Sequence, residues 1–563
     1  MMKGIILRKA AAVTAAAVLG ISSLSSVVMA DSFAETGKEA IETKGPDAAK
    51  AWDEAVKDYQ AQLTDSASAK GELYASLGAG AKQLLSMYAG MDLSWADSID
   101  LIMAASTKAM DAMYAEYELY LNEKYICRMN MYMDMAAMKA YISIPELTDS
   151  WLAVDVQETM NQNGGYGVNY AEAVPAVEQL ISALPSGEEL QQMMERYSYI
   201  VLENAKEVEP ETTTVTAADI SQEVTSYGGY YGVPEMGAML KALMAEARQD
   251  ETLKKVIDAV SSLVPATEGG EDPYTQMLSY FDELESNIDS TDMSTVPEDQ
   301  GVSVTYFEDA DGNLVGMTYS VNVDGNPMGY SVISTTDGEQ RGILIEGLRN
   351  DLYAAVEGPI VYDEEGAFES GSLTVTYGDL TVGEIDLYKS ESEEGTTFLC
   401  ADWTVIPQEI EEAEDGQDPA EADPLYMIKQ YINLASQFGL TTAIDENSTR
   451  DNYDVIVIPK MNDQELGTIE YYAETGEGGE EMPDPASFEK VIDVSALSDG
   501  SEESQVVLND FMVDIVNHMD GFAKTLEEAG VPETLISTLL QSFGLSTSSS
   551  ADAGAAPAAE AAG

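Results

Sequence analysis

"DADGNLVGMTYSVNVDGNPMGYSVISTTDGE" (309–339) carries three turn signals, "DADGN" (309–313), "VDGNP" (323–327) and "TTDGE" (335–339), each joining Asp to Gly. Between the first two, strict alternation places Val315, Met317, Tyr319 and Val321 on one face. Alternation bounded by such turns is the pattern of a β-hairpin. The same rhythm extends from Gly301 to Pro407, with further turns at "DEEGA" (363–367), "YGD" (377–379) and "ESEEG" (391–395) and a second alternation at Leu373, Val375 and Tyr377. This stretch therefore predicts an antiparallel meander. "DADGNLVGMTYS" is not a calcium loop. With Asp309, Asp311 and Asn313 at loop positions 1, 3 and 5, Leu314 and Ser320 stand where Gly and Glu are required.

A second period-two segment runs from about Ser98 to Val156. Within it, "ICRMNMYMDM" (126–135) sets Cys127, Met129, Met131, Met133 and Met135 at every second position. The preceding run, "AMYAEYELYL" (112–121), places Met113, Ala115, Tyr117, Leu119 and Leu121 on one face. If "NEK" (122–124) is the loop, Leu119 opposes Cys127, Tyr117 opposes Met129, Ala115 opposes Met131 and Met113 opposes Met133. Glu118 then meets Arg128 on the other face. A slip of one residue would set apolar against polar. Thioethers and thiolates suit Cu(I), but side chains at i and i+2 stand roughly 6.5 Å apart on a strand. The sulfurs are read as a core-facing or ligand-lining apolar surface rather than a metal site. In "TTFLCADWTVI" (396–406) the more apolar face is Leu399, Ala401, Trp403 and Val405, which points Cys400 away with Asp402. No Cys127–Cys400 disulfide is expected.

Helical patterns occupy the rest. "PDAAKAWDEAVKDYQAQL" (46–63) reads as a helix capped by Asp47, and "AKQLLSMYAG" (81–90) as a shorter one. "PSGEELQQMMERYSYIVLENA" (185–205) opens on a capping box, Ser186 with Glu189. Helices are also expected over 234–264, over 272–288 with Asp272 and Pro273 at the start, near 425–438, and over about 502–529. The chain divides into a leader (1–30), an N-terminal helical segment (31–97), a first β segment (98–160), a helical insert (161–300), the meander (301–407), an acidic linker (408–424), C-terminal strands and helices (425–545) and a low-complexity tail (546–563) that cannot build a core.

The leader has Lys3, Arg8 and Lys9, then an acid-free apolar run, then Val28 and Ala30 as small residues for cleavage after Ala30. The expected product is exported, secreted or held at the cell surface. No later stretch has the roughly 20 apolar residues of a membrane span. The chain carries 27 Lys and Arg against 101 Asp and Glu, a formal net charge of −74. Such a field repels nucleic acid and anionic membranes, so neither is expected as a partner.

Most familiar chemistry is missing. The one histidine, His518, shares a helical face with Leu508, Phe511, Ile515 and Phe522 and reads as a packed boundary. There is no HExxH, GxSxG, Walker A or Rossmann fingerprint. No metal or cofactor is expected. A hydrolase using only carboxylates stays open as an alternative, because 101 acids nominate every pair and distinguish none. "NQNGGYGVNY" (161–170) and "SYGGYYGVPE" (226–235) are read as loops. Their Tyr166, Tyr170, Tyr227, Tyr230 and Tyr231 either cover a core edge or present rings to a surface protein or glycan.

"AYISIPELTDSWLAVDV" (140–156) resembles a strand found in uncharacterised exported proteins and lipoproteins of Gram-positive anaerobes. The matching residues are Tyr141, Ile144, Pro145, Glu146, Leu147, Trp151 and Leu152. "ISQEVTS" (220–226), "LKALMAEARQDETLKKVID" (240–258) and "DADGNLVGMTYSV" (309–321) are similar in order to that group, so the resemblance spans about 70 to 475. Its layout is similar to the lipoprotein-carrier (LolA/LppX-like) architecture. The resemblance implies an α+β fold, a large curved antiparallel β-sheet in the form of a half-barrel with packed helices. It also implies an apolar concave face able to hold an acyl chain or other hydrophobic ligand, and it brings no catalytic residues. Many of these relatives are lipid-anchored, and no lipobox cysteine follows this leader. On this reading the protein is a non-catalytic binder. Met113, Tyr117, Leu119, Met129, Met131 and Met133 line its ligand face, and the alternative is a surface scaffold acting through its Gly-Tyr loops.

Overall fold

A computed structural model of the chain describes residues 32–109, 111–156, 170–263, 272–291, 297, 300–323, 326–349, 352–363, 366–392, 395–410, 425–449, 451–477, 482–497 and 501–542. The leader, most of the stretch 161–170, most of the acidic linker and the C-terminal tail lie outside these residues. The chain forms two compact units, one of Met1–Asp65 with Val168–Glu465 and one of Ser66–Gly167 with Leu466–Gly563. Each combines an open, mostly antiparallel sheet with helices, so the class is α+β.

In the second unit, eight described strands lie in the order β20–β1–β2–β3–β4–β5–β6–β21. They are β1 (Ser66–Leu77), β2 (Ser98–Lys108), β3 (Ala112–Leu121), β4 (Lys124–Asp134), β5 (Lys139–Ser143), β6 (Trp151–Asp155), β20 (Gly467–Glu477) and β21 (Val491–Asp493). Only β21 runs parallel to its neighbour. Helix α2 (Ala79–Ala89) joins β1 to β2, and α9 (Glu502–Glu528) and α10 (Glu533–Ser542) follow β21. β1 corrects the expectation of a purely helical 31–97. Its residues, "SASAKGELYASL", are too small and polar to announce a strand, yet it pairs along its whole length on both sides.

The first unit contains β7 (Lys206–Ala217), β8 (Ile220–Gly232), the meander strands β9 (Gly301–Glu308) to β16 (Thr397–Val405), then β17 (Phe438–Asp445), β18 (Asn452–Met461) and β19 (Gln464–Glu465). Each pairs with the next in chain order. The meander is as expected, and Met317, Tyr319 and Val321 are buried together, but a bulge between Leu314 and Gly316 turns Val315 into the opposite cluster with Ile333 and Leu344, which corrects its place on their face. The expected insert at 161–300 is not wholly helical, because β7 and β8 form a hairpin inside it. The end of that hairpin folds over β11 (Asn326–Asp337), β12 (Gln340–Arg349) and β13 (Leu352–Tyr362). Thr335 donates to the Ala217 carbonyl at 3.2 Å, and Val215, Ala217 and Val224 join Ile333, Leu344 and Ala355 in one cluster. The sheet of this unit therefore curls on itself, and the inside of that curl is filled.

The larger core lies against the other face of β8, β9 and β10 (Leu314–Val323). Helices α1 (Phe33–Thr64), α4 (Gly187–Glu203), α5 (Val233–Ala247) and α7 (Pro273–Ser290) contribute to it. α1 starts well before 46. Its N-cap is Ser32, whose hydroxyl accepts from the Glu35 N–H, and it runs through Pro46, so Asp47 caps nothing. Packing explains the override, because Phe33, Ala40 and Ile41 are all buried. The rings of Phe33 and Tyr306 stack at 5.2 Å and 14°, and Tyr231 meets Phe33 edge-on at 6.4 Å. Gly229 makes this fit, since a Cβ there would stand 2.4 Å from Phe33 Cε1.

The capping box at Ser186 and Glu189 and the Asp272 cap are present as read. The pattern over 234–264 is two helices, α5 and α6 (Glu251–Leu263), parted at Asp250, whose carboxylate accepts from the N–H groups of Thr252 and Leu253 at 3.0 Å. Arg196 on α4 donates to that carboxylate at 2.9 Å and to Glu246 at 2.8 Å, and the Asp250 side chain is 1% exposed. Burial pushes the Asp250 carboxyl up, but the Leu253 N–H and Arg196 outweigh it and hold the group below its ordinary 3.8. A depressed carboxyl adds stability above its unfolded value and loses it as pH falls through the folded one. Arg196→Met is expected to cost about 2 kcal/mol at neutral pH, as an accepting charge loses its partner. The gap from wild type should hold at neutral pH and narrow as pH falls below 3.8 toward the lower folded value, read as denaturation midpoints across that range. A gap that stays constant as pH falls through the range would contradict this.

Candidate functional site

The β3–β4 hairpin has the expected facing through a different turn. Asn122 and Glu123, with φ of 50° and 63°, make a two-residue left-handed turn. A bulge then leaves Ile126 without a direct partner, and pairing from Leu119↔Cys127 onward is the one read from sequence. Tyr117↔Met129, Ala115↔Met131, Met113↔Met133 and Glu118↔Arg128 all stand opposite each other. "NEK" is therefore corrected to a shorter turn whose missing residue is restored at the bulge.

Direct cross-strand partners share a face, so the register can be followed across the unit. One ladder is Tyr471, Leu73, Leu101, Leu119 and Cys127; the next is Ala473, Gly71, Met103, Tyr117 and Met129. A third runs Thr475, Ala69, Ala105, Ala115, Met131, Ile142 and Leu152. None of the three contains a charge. The opposite face of the same strands has ladders such as Tyr472, Glu72, Ile102, Glu118 and Arg128. Met113, Tyr117, Leu119, Met129, Met131 and Met133 are half-buried, and Leu73, Ile99 and Ile469 are exposed at 38%, 43% and 40%. Tyr117, Leu119, Met129 and Met131 thus lie on three uncharged ladders that stay in part open, while Met113 and Met133 share the same face on the next ladder, which ends through Thr107 and Ala67 on Glu477.

β1 gives this surface relief. Ala67, Ala69 and Gly71 form a short lane of small residues, ended by Leu73 on the same face of the strand. A Cβ on Gly71 would lie 3.2 Å from Met103 Cε, so the methionine leans across the lane at that point. A thioether side chain with three rotatable bonds can swing aside at small cost. Sequence reading missed the lane because it missed the strand.

Other candidates are placed differently. Tyr227, Tyr230 and Tyr231 lie on β8, not on a loop. Tyr231 is fully buried and donates to the Val201 carbonyl at 3.0 Å, Tyr227 is buried, and Tyr230 donates to the Gln300 carbonyl at 3.1 Å. These three are corrected from interaction-loop residues to core and strand residues, because the glycines beside them admit neighbouring side chains. Tyr166 and the side chain of Tyr170 fall outside the described residues. Both cysteines are free thiols. Cys400 is buried with Phe398 and Ala443, while Leu399 and Trp403 are exposed, which reverses the faces read for β16. The reason is polar: on the Cys400 side, Asp402 accepts from Thr441, from Lys460 at 3.2 Å and from Tyr388 at 3.3 Å. Burial pushes both thiols up, with Glu146 adding at Cys127 and Asp402 at Cys400. Neither is poised as a thiolate.

His518 lies 3.3 Å from an Asp149 oxygen, and its Nδ1 is 2.8 Å from the Asp514 carbonyl. Asp514 in turn accepts from Thr148, Ser150 and the Asp149 N–H, which ties α9 to the β5–β6 loop. Asp309 accepts from the N–H groups of Asp311 and Asn313 and so closes its own turn. Among the described residues no group of three His, Cys, Asp or Glu side chains is arranged to hold a metal. Among them, too, no helix is long and apolar enough to cross a membrane.

No family model matches the chain, and no curated protein matches it. Among solved structures, a Salmonella typhi OmpF complex with daunomycin aligns over 74% of this chain and 98% of its own, at 7% identity and a TM-score of 0.14.

Proposed function

We propose that the protein is an exported, non-catalytic binding protein that holds a hydrophobic, lipid-like ligand on the methionine face of its second unit. The observation that carries this reading is three successive ladders without a charge, part-exposed, in a chain with a net charge of −74. A sheet face that only packs a core is covered; a face left open in water costs free energy unless something covers it. The short lane on β1 admits one end of an acyl chain, with Leu101 and Met103 on the next strand, Tyr117 and Leu119 on the strand after it, and Met129, Met131 and Met133 as adaptable contacts further across. The likeness to lipoprotein-carrier layouts supports the same class of ligand, and the resemblance to exported proteins of Gram-positive anaerobes supports a secreted or surface-held location.

Native mass spectrometry of protein purified from its own host tests the proposal. A co-purified species of lipid mass is expected, lost on delipidation and replaced by a fluorescent lysophosphatidylcholine. A chain that arrives without such a species and then fails to take up the probe would overturn it.

A further inference from the structure

His518 is the one histidine of the chain, and imidazole is the side chain whose ordinary charge change falls between pH 5 and 8. It stands on α9 beside the β5–β6 loop, with its side chain 27% exposed. Both ring nitrogens face oxygen acceptors. Nδ1 is 2.8 Å from the Asp514 carbonyl, one turn back on the helix, and 4.0 Å from the Asp514 carboxylate. Nε2 is 3.3 Å from an Asp149 carboxylate oxygen. A carbonyl and an ionised carboxylate can only accept. A neutral imidazole has one N–H and one lone pair, so either tautomer turns a lone pair toward one of these oxygens. The imidazolium donates to both.

The groups around the ring keep their charge across that range. Within 4.0 Å of it, among the described residues, the charged partners are Asp149 on the loop and Asp514 on its own helix. Lys490, just before β21, donates to Asp149 at 2.9 Å and lies 3.6 Å from Asp514. The bond from Lys490 holds the Asp149 carboxyl below its ordinary 3.8. Burial pushes Asp514 up, but Thr148, the Asp149 N–H and Lys490 outweigh it and hold this carboxyl below 3.8 as well. Asp149 in turn pushes the Lys490 ammonium up. Two carboxylates therefore stand against one ammonium, and a charged His518 makes the set neutral.

We infer that His518 is a proton-operated clamp on α9: charged, it ties the helix to the β5–β6 loop through Asp149, and neutral, it gives up that tie. The added stability is present in acid, where the ring is charged, and is lost as pH rises through the ring's titration. Asp514 accepts from Thr148, Ser150 and the Asp149 N–H in either state, so the helix keeps its place and only the firmness of its hold changes. The Asp149 side chain is 59% exposed, which limits the tie to the modest strength of a solvated ion pair. Its effect is therefore a few-fold change in local opening of α9 and not a change of fold. This inference does not depend on the ligand proposed for the methionine face.

The test is amide hydrogen exchange of the full chain, read by mass spectrometry on peptides from 502–528. Protection is compared toward the two ends of the imidazole range, at pH 5.5 and pH 8, after correction for intrinsic exchange rates. Wild type is expected to be about threefold more protected at pH 5.5. His518→Gln should be equally protected at both values. Asp149→Ala should also lose the pH dependence although the ring is still present, because Nε2 then faces no carboxylate and a neutral ring donating through Nδ1 is satisfied. That variant removes only an exposed side chain and keeps the Asp149 N–H bond to Asp514, so it tests the clamp even if His518→Gln does not fold. The inference is overturned if wild-type protection is equal at the two pH values or greater at pH 8. It is also overturned if the threefold difference survives in Asp149→Ala, which would place the proton's effect elsewhere.

Discussion

Phe33→Ala should destabilise the protein by about 3–5 kcal/mol, the cost of removing a large buried aromatic and leaving its cavity. Phe33 is 1% exposed and is the first residue of α1, one position after the cap. Its ring stacks on Tyr306 and meets Tyr231 edge-on, and both of those tyrosines are completely buried. The bare Gly229 backbone forms the floor beneath it, so no side chain can relax into the vacated space from below. The loss should fall on the first unit alone, visible as an early transition in a denaturant titration. Phe33→Leu should recover more than half of it by refilling most of the volume. A Phe33→Ala chain with an unchanged first transition would show that the aromatic stack is not the keystone of that core.

Leu73→Glu should lower affinity for a lysophosphatidylcholine probe at least about tenfold, equal to about 1.4 kcal/mol. The residue closes the lane of Ala67, Ala69 and Gly71 on the same strand and is 38% exposed, so the substitution removes no packed core atom. Folding stability should change by no more than about 0.5 kcal/mol, as for other surface positions. An acyl chain lying over the new carboxylate would strip its water without offering a hydrogen bond, and that penalty is what weakens binding. Met131→Leu keeps volume and charge and should leave affinity within about twofold. Unchanged binding by Leu73→Glu would place the ligand off this face.

The parts of this fold that were legible in sequence are those where one signal dominates. The meander shows because Asp-Gly turns and alternation agree, and the Ser186–Glu189 box because a cap needs only two residues in fixed spacing. The facing of the methionine hairpin shows because Glu118 and Arg128 are matched only in the register that also matches the apolar side. β1 and β7 were hidden for opposite reasons. β1 is built of Ala, Ser and Gly and draws its stability from neighbours on both sides; β7 is mostly exposed and interrupted at Pro210, so it offers few apolar positions to count. β8 reads as a loop because Gly228 and Gly229 resemble turn residues, whereas Gly229 admits the Phe33 ring. Hydrophobicity alone ranks Trp403 as inward and Cys400 as outward, while the hydrogen bonds of Asp402 decide the face the other way.

The candidate site was legible as a list of residues and not as a surface. Its six predicted members come from a single hairpin, and periodicity alone could place them on one side. The breadth of the surface depends on the neighbouring β2 and, beyond it, on β1 and β20, and β20 reaches β1 from a position far along the chain, a long-range pairing that leaves no local trace.

The unpartnered Ile126 gives the methionine hairpin a degree of slack. A hairpin without it would tie facing to loop length, and every gain or loss of one residue near the turn would exchange the greasy side for the charged one. With an extra residue already absorbed next to the turn, a one-residue deletion there removes the buried Ile126 side chain and still sets Leu119 against Cys127. The side of the sheet that carries the sulfur atoms is thereby insulated from the commonest kind of change a loop undergoes over generations, a change in length.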